Sequence, residues 1–428
     1  MAVQTERIPA RRRRLGDRLA VFGEREFMRF FLGYTTSLIG SSMAPVAVAF
    51  AVLDGGGGGA GGGGGGTALG WVMAARILPV VLVLLAGGAI ADRLGSRRVM
   101  LGSDLLRGVV QALFAGLLAA GRAPVWAMVA LVAVWGVGEG LFMPAFGAIV
   151  PDLVRRTGLV ADANALLGLA RSLSTVVGPA TAGLVTAAWG PATVLLADAV
   201  TYGVGAFALA RLRLPVRAAA GEGSMVRDLR AGWSEFASRP WLWVTTVQMG
   251  LFNLLVWAPF LVLGPLLAQR DLGGARAWGL VMGVYGAGAV LGGLLVLGRS
   301  PARPLAVASL AALAWALPSA ALAAGAGLPW VAAGALVAGV GSAVCGTLYG
   351  TTTQKWVPVE LLGRVTAFGV LGSFALGPLG LAAAGPLAGR FGADTVLLIG
   401  AVWQLAAGAV VLAVPAVRDR RWEEGPDS

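Results

Sequence analysis

The stretch GAIADRLGSRR, from Gly88 to Arg98, places one carboxylate and three arginines in a short loop between two long apolar segments. Charges concentrated in so short a connection indicate a turn at a membrane surface between two spanning helices. The surrounding chain agrees, because its 428 residues are 57% hydrophobic and only 13% charged, whereas soluble proteins carry about 25% charged residues. The sequence therefore predicts a protein that is embedded in a lipid bilayer.

Twelve segments contain the ~20 mostly apolar residues that a spanning helix requires. They are 27–53, 68–91, 99–120, 124–146, 162–188, 191–211, 241–268, 277–298, 304–325, 329–350, 363–388 and 394–415. The longest polar connection divides them into six and six. The predicted fold class is an all-α membrane protein with twelve transmembrane helices in two six-helix bundles. Its predicted parts are a basic N-terminus (1–26), the two bundles (27–211 and 241–415), a central loop (212–240) and a tail (416–428).

Basic residues fall almost entirely on one face of this topology. Of the 33 lysines and arginines, 26 lie in the N-terminal segment, the even-numbered loops and the tail, and only four lie on the opposite face. The positive-inside rule therefore predicts that both termini are cytoplasmic. The same partition explains the net charge of +12 without a nucleic-acid partner.

The residue types exclude several kinds of chemistry. The chain has one cysteine, Cys345, and no histidine, so zinc sites, haem and thiol catalysis with a histidine base are not expected. The glycine run from Gly55 to Gly66 has no Lys-Ser/Thr after it, so it predicts a flexible outer linker and not a phosphate-binding loop. We therefore expect no enzyme activity, no cofactor and no ATP-driven transport by this chain alone.

Six ionisable side chains lie within the predicted spans and away from their ends, all in the first half. They are Arg76, Asp104, Arg107, Glu139, Arg171 and Asp198. Each costs roughly 2.5–3.5 kcal/mol at mid-bilayer, so such groups face partners or water. Asp104 and Arg107 are three residues apart, which predicts a local ion pair. Asp198 and Arg171 lie near the midplane and are the best candidates for proton coupling, with Arg76, Asp104 and Arg107 as further candidates. The alternative is a permanent pair of Asp198 with Arg171 or Arg76.

The opening stretch reads G-x-x-x-D-R-x-G-x-R-R and resembles motif A of the major facilitator superfamily. The matching positions are Gly88, Asp92, Arg93, Gly95, Arg97 and Arg98. The resemblance implies a fold in which two bundles rock around a midplane site. It also implies a conformational latch, in which Asp92 braces the start of the eleventh span near 359–363. A motif A arginine would pair with an acidic partner while the transporter faces outward, and Glu139 is the candidate for that partner.

The fifth span carries Gly178, Pro179 and Gly183, which resemble the Gly-Pro motif of proton-coupled antiporters in that superfamily. Glycines of the eighth span form a small-residue face suited to close contact with it; they are Gly283, Gly286, Gly288, Gly292 and Gly293. Further strings look like the branch of enterobactin exporters and macrolide-efflux proteins. They are Gly102-Ser103-Asp104-Leu105-Leu106-Arg107, Phe142-Met143-Pro144-Ala145, Val150-Pro151-Asp152-Leu153-Val154 and Ala163-Asn164-Ala165-Leu166, followed by Arg171.

Together these features favour a monomeric exporter in a bacterial inner membrane, with the bilayer and a small molecule as its partners. It would expel a hydrophobic drug-like molecule or siderophore in exchange for protons, from a site near Arg171 and Asp198. One alternative function is a proton-coupled importer of a polar nutrient, but such a protein would need more polar side chains in the second half than the sequence contains. The other alternative is a transport-inactive membrane sensor, and the intact motif A argues against it.

Overall fold

A computed structural model describes residues 20–55, 64–154, 156–214 and 225–422. Every regular element in these ranges is helical, which confirms the all-α prediction. Six long helices form the first bundle: α1 (Arg25–Asp54), α2 (Gly64–Leu94), α3 (Ser96–Ala119), α4 (Val125–Leu153), α5 (Val160–Trp189) and α6 (Pro191–Arg211). We call the end at which α1 begins and α6 ends the arginine-rich end.

The second bundle follows a connecting helix, α7 (Met225–Ser238). It consists of α8 (Pro240–Leu272), α9 (Ala275–Val296), α10 (Pro304–Ala323), α11 (Leu328–Trp356), α12 (Val359–Phe374), α13 (Gly377–Phe391) and α14 (Ala393–Ala413). Helices α12 and α13 occupy the predicted eleventh span. The turn Asn253–Trp257 inside α8 is π-helical, a local widening that is frequent at functional sites.

Eleven helical units in the described ranges are long and apolar enough to cross a membrane. The unit missing from this set is α5, which has 30 residues. Its length suffices for a crossing at 1.5 Å per residue, but its serines, threonines and glycines, together with Arg171, lower its mean hydropathy. Composition thus supports eleven of the twelve predicted spans, and α5 meets the requirement by length alone.

Two predicted connections contain more helix than expected. The central loop includes α7, because Trp233 and Phe236 form an apolar face that packs on Phe368 of α12, with ring centroids 5.4 and 6.3 Å away. The glycine linker ends earlier than predicted, because Gly64–Gly66 begin α2. A Cβ atom on Gly66 would lie 3.6 Å from the Cα atom of Gly385 in α13. The rest of that linker, 56–63, lies outside the described residues, as do residues 1–19 of the basic N-terminus and 423–428 of the tail.

The two bundles approach each other most closely away from the arginine-rich end. Helices α5 and α9 cross so tightly that a Cβ atom on Gly183 would lie 2.8 Å from the Cα atom of Gly279. Near the same end, Gln269 Nε2 donates a 2.9 Å hydrogen bond to Asp54 Oδ1. Only glycine permits backbones to meet at this distance, so these residues close that end of the cleft between the bundles.

The predicted contact between the fifth and eighth spans is confirmed for Gly283 and Gly286. These two glycines pack against Ala180 and Thr175 of α5. Their companions behave differently: Gly288 and Gly292 face α11 instead, and a Cβ atom on Gly293 would meet no described atom within 4 Å. The reason is that residues on one α-helix share a face only at spacings of three or four. Gly283 and Gly286 therefore share one face of α9, and Gly288 and Gly292 share another.

Candidate functional site: a neutral cavity and a charged core

The second bundle encloses a cavity of about 590 Å³ between α8, α9, α10, α11, α12 and α14. It extends from Trp257 and Tyr285 at mid-depth to Gln354 and Leu362 near the arginine-rich end. No Asp, Glu, Lys or Arg is among the described residues that line it. A ligand would therefore meet aromatic rings, aliphatic groups and neutral polar groups.

Four aromatic rings form the deep end of the cavity. The centroid of Trp315 lies 4.5 Å from Trp257, 5.0 Å from Tyr285 and 5.3 Å from Phe252. The Trp257 and Phe252 contacts are edge-to-face, a geometry that stabilises aromatic pairs. Tyr285 is also fixed by its hydroxyl, which donates a 3.0 Å hydrogen bond to Ser342 Oγ. The rings are thus held in place as a rigid apolar wall.

Two amide side chains supply the fixed polar groups of the cavity. Asn253 Nδ2 donates to the carbonyl oxygens of Met249 and Ser373, each at 3.0 Å, and so ties α8 to α12. Gln404 Nε2 donates to the Ala312 carbonyl at 2.7 Å. The Oε1 atom of Gln404 is buried without a hydrogen-bond partner among the described atoms. This oxygen is covered by protein atoms, so a bound molecule could bond to it only after the side chain turns toward the cavity.

The first bundle holds charged groups where the second holds a cavity. Helix α3 places Asp104, Arg107 and Gln111 on one buried face, as their spacing of three and four residues requires. Arg107 and Asp104 form the ion pair predicted from the sequence. The Arg107 guanidinium also lies over the rings of Phe142 and Tyr202, at 4.4 and 4.5 Å. The cation is therefore compensated by a carboxylate and by two π faces.

Asp198 of α6 is fully buried, and its partners are neutral. Gln111 Nε2 donates to its Oδ2 atom at 2.9 Å, and Thr201 Oγ1 lies 3.4 Å from its Oδ1 atom. A Cβ atom on Gly40 of α1 would lie 2.7 Å from Oδ1, so α1 seals this carboxyl group. The predicted permanent pair with Arg171 or Arg76 is wrong, because each of these arginines contacts a different residue.

Glu139 pairs with Arg76 and not with a motif A arginine. The Arg76 Nε and Nη2 atoms lie 3.0 and 3.1 Å from the two carboxylate oxygens, and the guanidinium lies 4.2 Å from the ring centre of Trp135. The resemblance implies the latch contact for the outward-facing state, and this structure does not form it, so the contact stays a prediction. Arg97 instead donates from Nε and Nη2 to the carbonyl oxygens of Leu209 and Ala210, at 2.8 and 2.6 Å. These carbonyls lie at the end of α6, where a cation satisfies unpaired carbonyl groups.

Arg171 of α5 lies apart from these groups. Its Nη2 atom donates a 3.2 Å hydrogen bond to the hydroxyl of Tyr34, and its guanidinium lies 5.4 Å from the ring centre of Phe146. The side chain is exposed. The structure therefore does not bring Arg171 to Asp198, and the cavity that it does contain lies in the other bundle.

Motif A is described only in part. Gly95 is the N-cap residue just before α3, and its φ of 84° is a left-handed conformation that favours glycine, which explains this position of the motif. The side chain of Asp92 and the Cα environment of Gly88 lie outside the described part, as do the side chains of residues 359 and 360. The brace between Asp92 and the eleventh span stays a prediction.

The Gly-Pro motif of α5 is a packing element. A Cβ atom on Gly178 would clash with Ser42 of α1, and Gly183 contacts α9 on another side of the helix. Pro179 is buried between them, and its carbonyl oxygen would lie 2.5 Å from a Cβ atom on Gly279. Helix α5 is therefore wedged between its own bundle and the neighbouring one.

Sequence reasoning missed the cavity, although a signal for it was present. The spans of the second half carry no acidic residue away from their ends, and they contain the aromatic residues Trp257, Tyr285 and Trp315 and the amides Asn253 and Gln404. Aromatic rings with a few neutral polar groups are the usual lining of a small-molecule pocket. The sequence prediction of a site near Arg171 and Asp198 rested instead on the ionisable residues of the first half.

Comparison with known proteins identifies the family. The family model of the Major Facilitator Superfamily matches residues 27–381. The chain is 28% identical over 359 residues to the multidrug efflux pump Tap of Mycobacterium tuberculosis, covering 81% of this chain and 85% of that protein. It is 22% identical over 400 residues to macrolide efflux protein A of Streptococcus pyogenes, covering 92% and 95%.

A solved structure of a peptide transporter, POT in complex with sulfate, shares the fold. Its TM-score is 0.72 at 14% identity, and the match covers 93% of this chain and 96% of that one. The helical architecture, the cavity and the family match agree with one another. The chain belongs to the major facilitator superfamily, and it is a multi-pass membrane transporter and not an enzyme.

Proposed function

We propose that this protein is a secondary exporter that expels a hydrophobic drug-like molecule or siderophore in exchange for protons. In this proposal α5 is the fifth of twelve spans, both termini are cytoplasmic, and a single chain works in a bacterial cell membrane. The observation that carries the proposal is the uncharged, aromatic cavity of about 590 Å³ in the second bundle. This volume lies within the ~300–1,000 Å³ of drug-sized ligand pockets.

The closed and open ends of the molecule support alternating access. Glycine contacts join the bundles away from the arginine-rich end, while the cavity reaches Gln354 and Leu362 near that end. The positive-inside rule assigns the arginine-rich end to the cytoplasm. The conformation is then the one that loads substrate from the cell interior, as an exporter requires.

Asp198 is the group that we propose for proton coupling. The other carboxylates inside the first bundle, buried Asp104 and partly exposed Glu139, each have an arginine at ion-pair distance. The arginine stabilises the charged form of each carboxylate and so disfavours uptake of a proton. Asp198 has the neutral partners Gln111 and Thr201. Desolvation makes the charged form of such a group costly, so it would exchange a proton whenever movement of α1 admits water.

The relatives favour export over import. Tap is named as a multidrug efflux pump and the streptococcal protein as a macrolide efflux protein. The lack of charged side chains in the described cavity lining also suits an apolar cargo better than a polar nutrient. The relatives support export as the direction of transport, and the lining supports an apolar cargo.

Inside-out vesicles with an acidic lumen test this proposal. Lipophilic cations, macrolides and catecholate siderophores are added in turn, and luminal pH is followed. We expect one class to raise the luminal pH as protons leave in exchange for substrate, with no response from vesicles that lack the protein. Silence across the panel with folded protein present, or movement of substrate out of the lumen, would contradict proton-driven export.

A further inference from the structure

Arg171 is a cation near the middle of the first bundle that has no carboxylate partner among the described ion pairs. The other two arginines inside the spans of this bundle, Arg76 and Arg107, are each paired with a carboxylate. Arg171 contacts only the Tyr34 hydroxyl and the Phe146 ring in the described structure. A positive charge held in a membrane-spanning segment without an anion calls for a functional reason.

The side chain of Arg171 faces the cleft between the bundles and not the lipid. Its neighbours Leu169 and Leu173 are 53% and 51% exposed, and at roughly 100° per residue they lie on the opposite side of α5. Tyr34 and Phe146 belong to α1 and α4, which hold the guanidinium on the inner side. The exposure of Arg171 is therefore exposure to the cleft.

The cleft side of α5 lies next to the neutral cavity. Thr175, one helical turn beyond Arg171, contacts Gly286 of α9, and the adjacent Tyr285 lines the cavity. One turn advances about 5.4 Å along a helix, so Arg171 lies about that far from this crossing, toward the arginine-rich end. Arg171 therefore lies between the arginine-rich end and the crossing of α5 with α9 that adjoins the aromatic wall.

We infer that Arg171 binds the anionic group of the transported molecule, whose apolar part occupies the cavity, so the substrate is a lipophilic organic anion. This inference rests on the proposed export function and specifies its substrate class. Arginine binds carboxylates, sulfonates and phosphates through strong charge-assisted hydrogen bonds. A cationic substrate would be repelled by Arg171 and would find no carboxylate in the described cavity lining.

Three pyrene probes that differ only in charge test this inference: 1-pyrenesulfonate, 1-pyrenemethylammonium and 1-hydroxymethylpyrene. Binding to the full chain in nanodiscs is measured by energy transfer from tryptophan, since Trp257 and Trp315 line the cavity, with empty nanodiscs subtracted. We expect the sulfonate to bind roughly tenfold or more tightly than the ammonium, as one charge-assisted hydrogen bond to a cation allows.

Three variants test whether the preference for the sulfonate comes from Arg171 itself or from the overall positive charge of the protein. Arg171→Gln should remove the preference for the sulfonate while leaving the neutral probe within about twofold, which also shows that the variant is folded. Arg171→Lys should keep most of the preference because it keeps the charge. Arg211→Gln is the matched control, because Arg211 is also exposed and lies 4.6 Å over the ring of Phe207, at the end of α6. It should behave as the wild type.

The other outcomes contradict the inference in distinguishable ways. Equal or tighter binding of the ammonium, or a sulfonate preference that survives in Arg171→Gln, overturns the anion assignment. If either result is found and the neutral probe still binds, the export proposal stands and only the anion assignment fails. Binding of none of the three probes to folded wild-type protein overturns both, because the cavity would then not hold an apolar molecule.

Discussion

The two bundles have similar helical plans but opposite interiors. The first buries Asp104, Arg107 and Asp198 among closely packed helices, whereas the described lining of the second is uncharged and surrounds an open cavity. A buried charge must be compensated by nearby groups, which leaves little free space around it. The neutral rings and amides that line the second bundle need no compensating charge, so they can surround an open cavity. The difference indicates that proton coupling belongs to the first bundle and substrate binding to the second.

The largest expected effect comes from Asp198→Asn, which removes the proton site and keeps the shape of the side chain. Transport driven by the pH gradient should be abolished in inside-out vesicles, because the neutral amide cannot carry a proton. Probe binding in the other bundle should remain within about twofold of the wild type. Asp394→Asn, a half-exposed carboxylate in the second bundle, is the control. Gradient-driven transport by Asp198→Asn would remove Asp198 from the mechanism.

A large loss of stability is expected from Asp104→Leu, because it leaves the Arg107 guanidinium buried without its carboxylate. Removing one member of a buried pair costs about 3–5 kcal/mol. Arg107→Met should cost less, because the remaining carboxyl group can take up a proton whereas a guanidinium cannot lose one. Unfolding in detergent, followed by tryptophan fluorescence, measures both. Equal stability of the two variants would show that the first bundle tolerates an unpaired cation.

Binding should weaken about tenfold for 1-hydroxymethylpyrene in Trp257→Leu, since an aromatic residue in a buried pocket contributes more than 1 kcal/mol. Trp257 forms the wall of the cavity with Trp315. Trp126→Leu is the matched control in the first bundle, because Trp126 is 75% exposed at the start of α4, and it should leave affinity unchanged. The same loss in both variants would contradict a binding site confined to the second bundle.

The smallest effect is expected from Gln404→Leu. Its Oε1 atom is buried without a partner among the described atoms, and it would accept a hydrogen bond from the hydroxyl of 1-hydroxymethylpyrene once the side chain turns toward the cavity. Loss of one neutral hydrogen bond costs ~1 kcal/mol, or roughly fivefold in affinity. Binding of 1-methylpyrene, which lacks the hydroxyl, should not change. Equal losses for both probes would show that Gln404 shapes the wall of the cavity and does not bind the ligand.

Contacts within one helix were predictable from the sequence, and those between distant helices were not. The Asp104–Arg107 pair follows from a spacing of three residues on α3. The Arg76–Glu139 pair joins residues 63 positions apart, and the Gln111–Asp198 hydrogen bond joins residues 87 apart. Depth in the membrane can be read from distance along a helix, but the rotation of each helix about its axis cannot.

The cavity illustrates the same limit at a larger scale. Its walls come from six helical units of the second bundle, and each contributes residues that look like ordinary apolar spans in the sequence. The glycine contacts of α5 with Gly283 and Gly286 were predictable because backbone approach requires small residues on both sides. The aromatic and amide residues of the second half indicate a pocket lining, but the position of the empty space depends on where side chains fail to meet.

Labelling of Cys345 tests the central claim most directly, because it is the one cysteine of the chain and it lines the cavity. A membrane-impermeant methanethiosulfonate is added to inside-out vesicles and to right-side-out vesicles, with and without 1-hydroxymethylpyrene. The account predicts that Cys345 reacts from the cytoplasmic side and that saturating probe slows the reaction. Reaction only from the outer side, or a rate that saturating probe leaves unchanged, would contradict a substrate cavity in the second bundle.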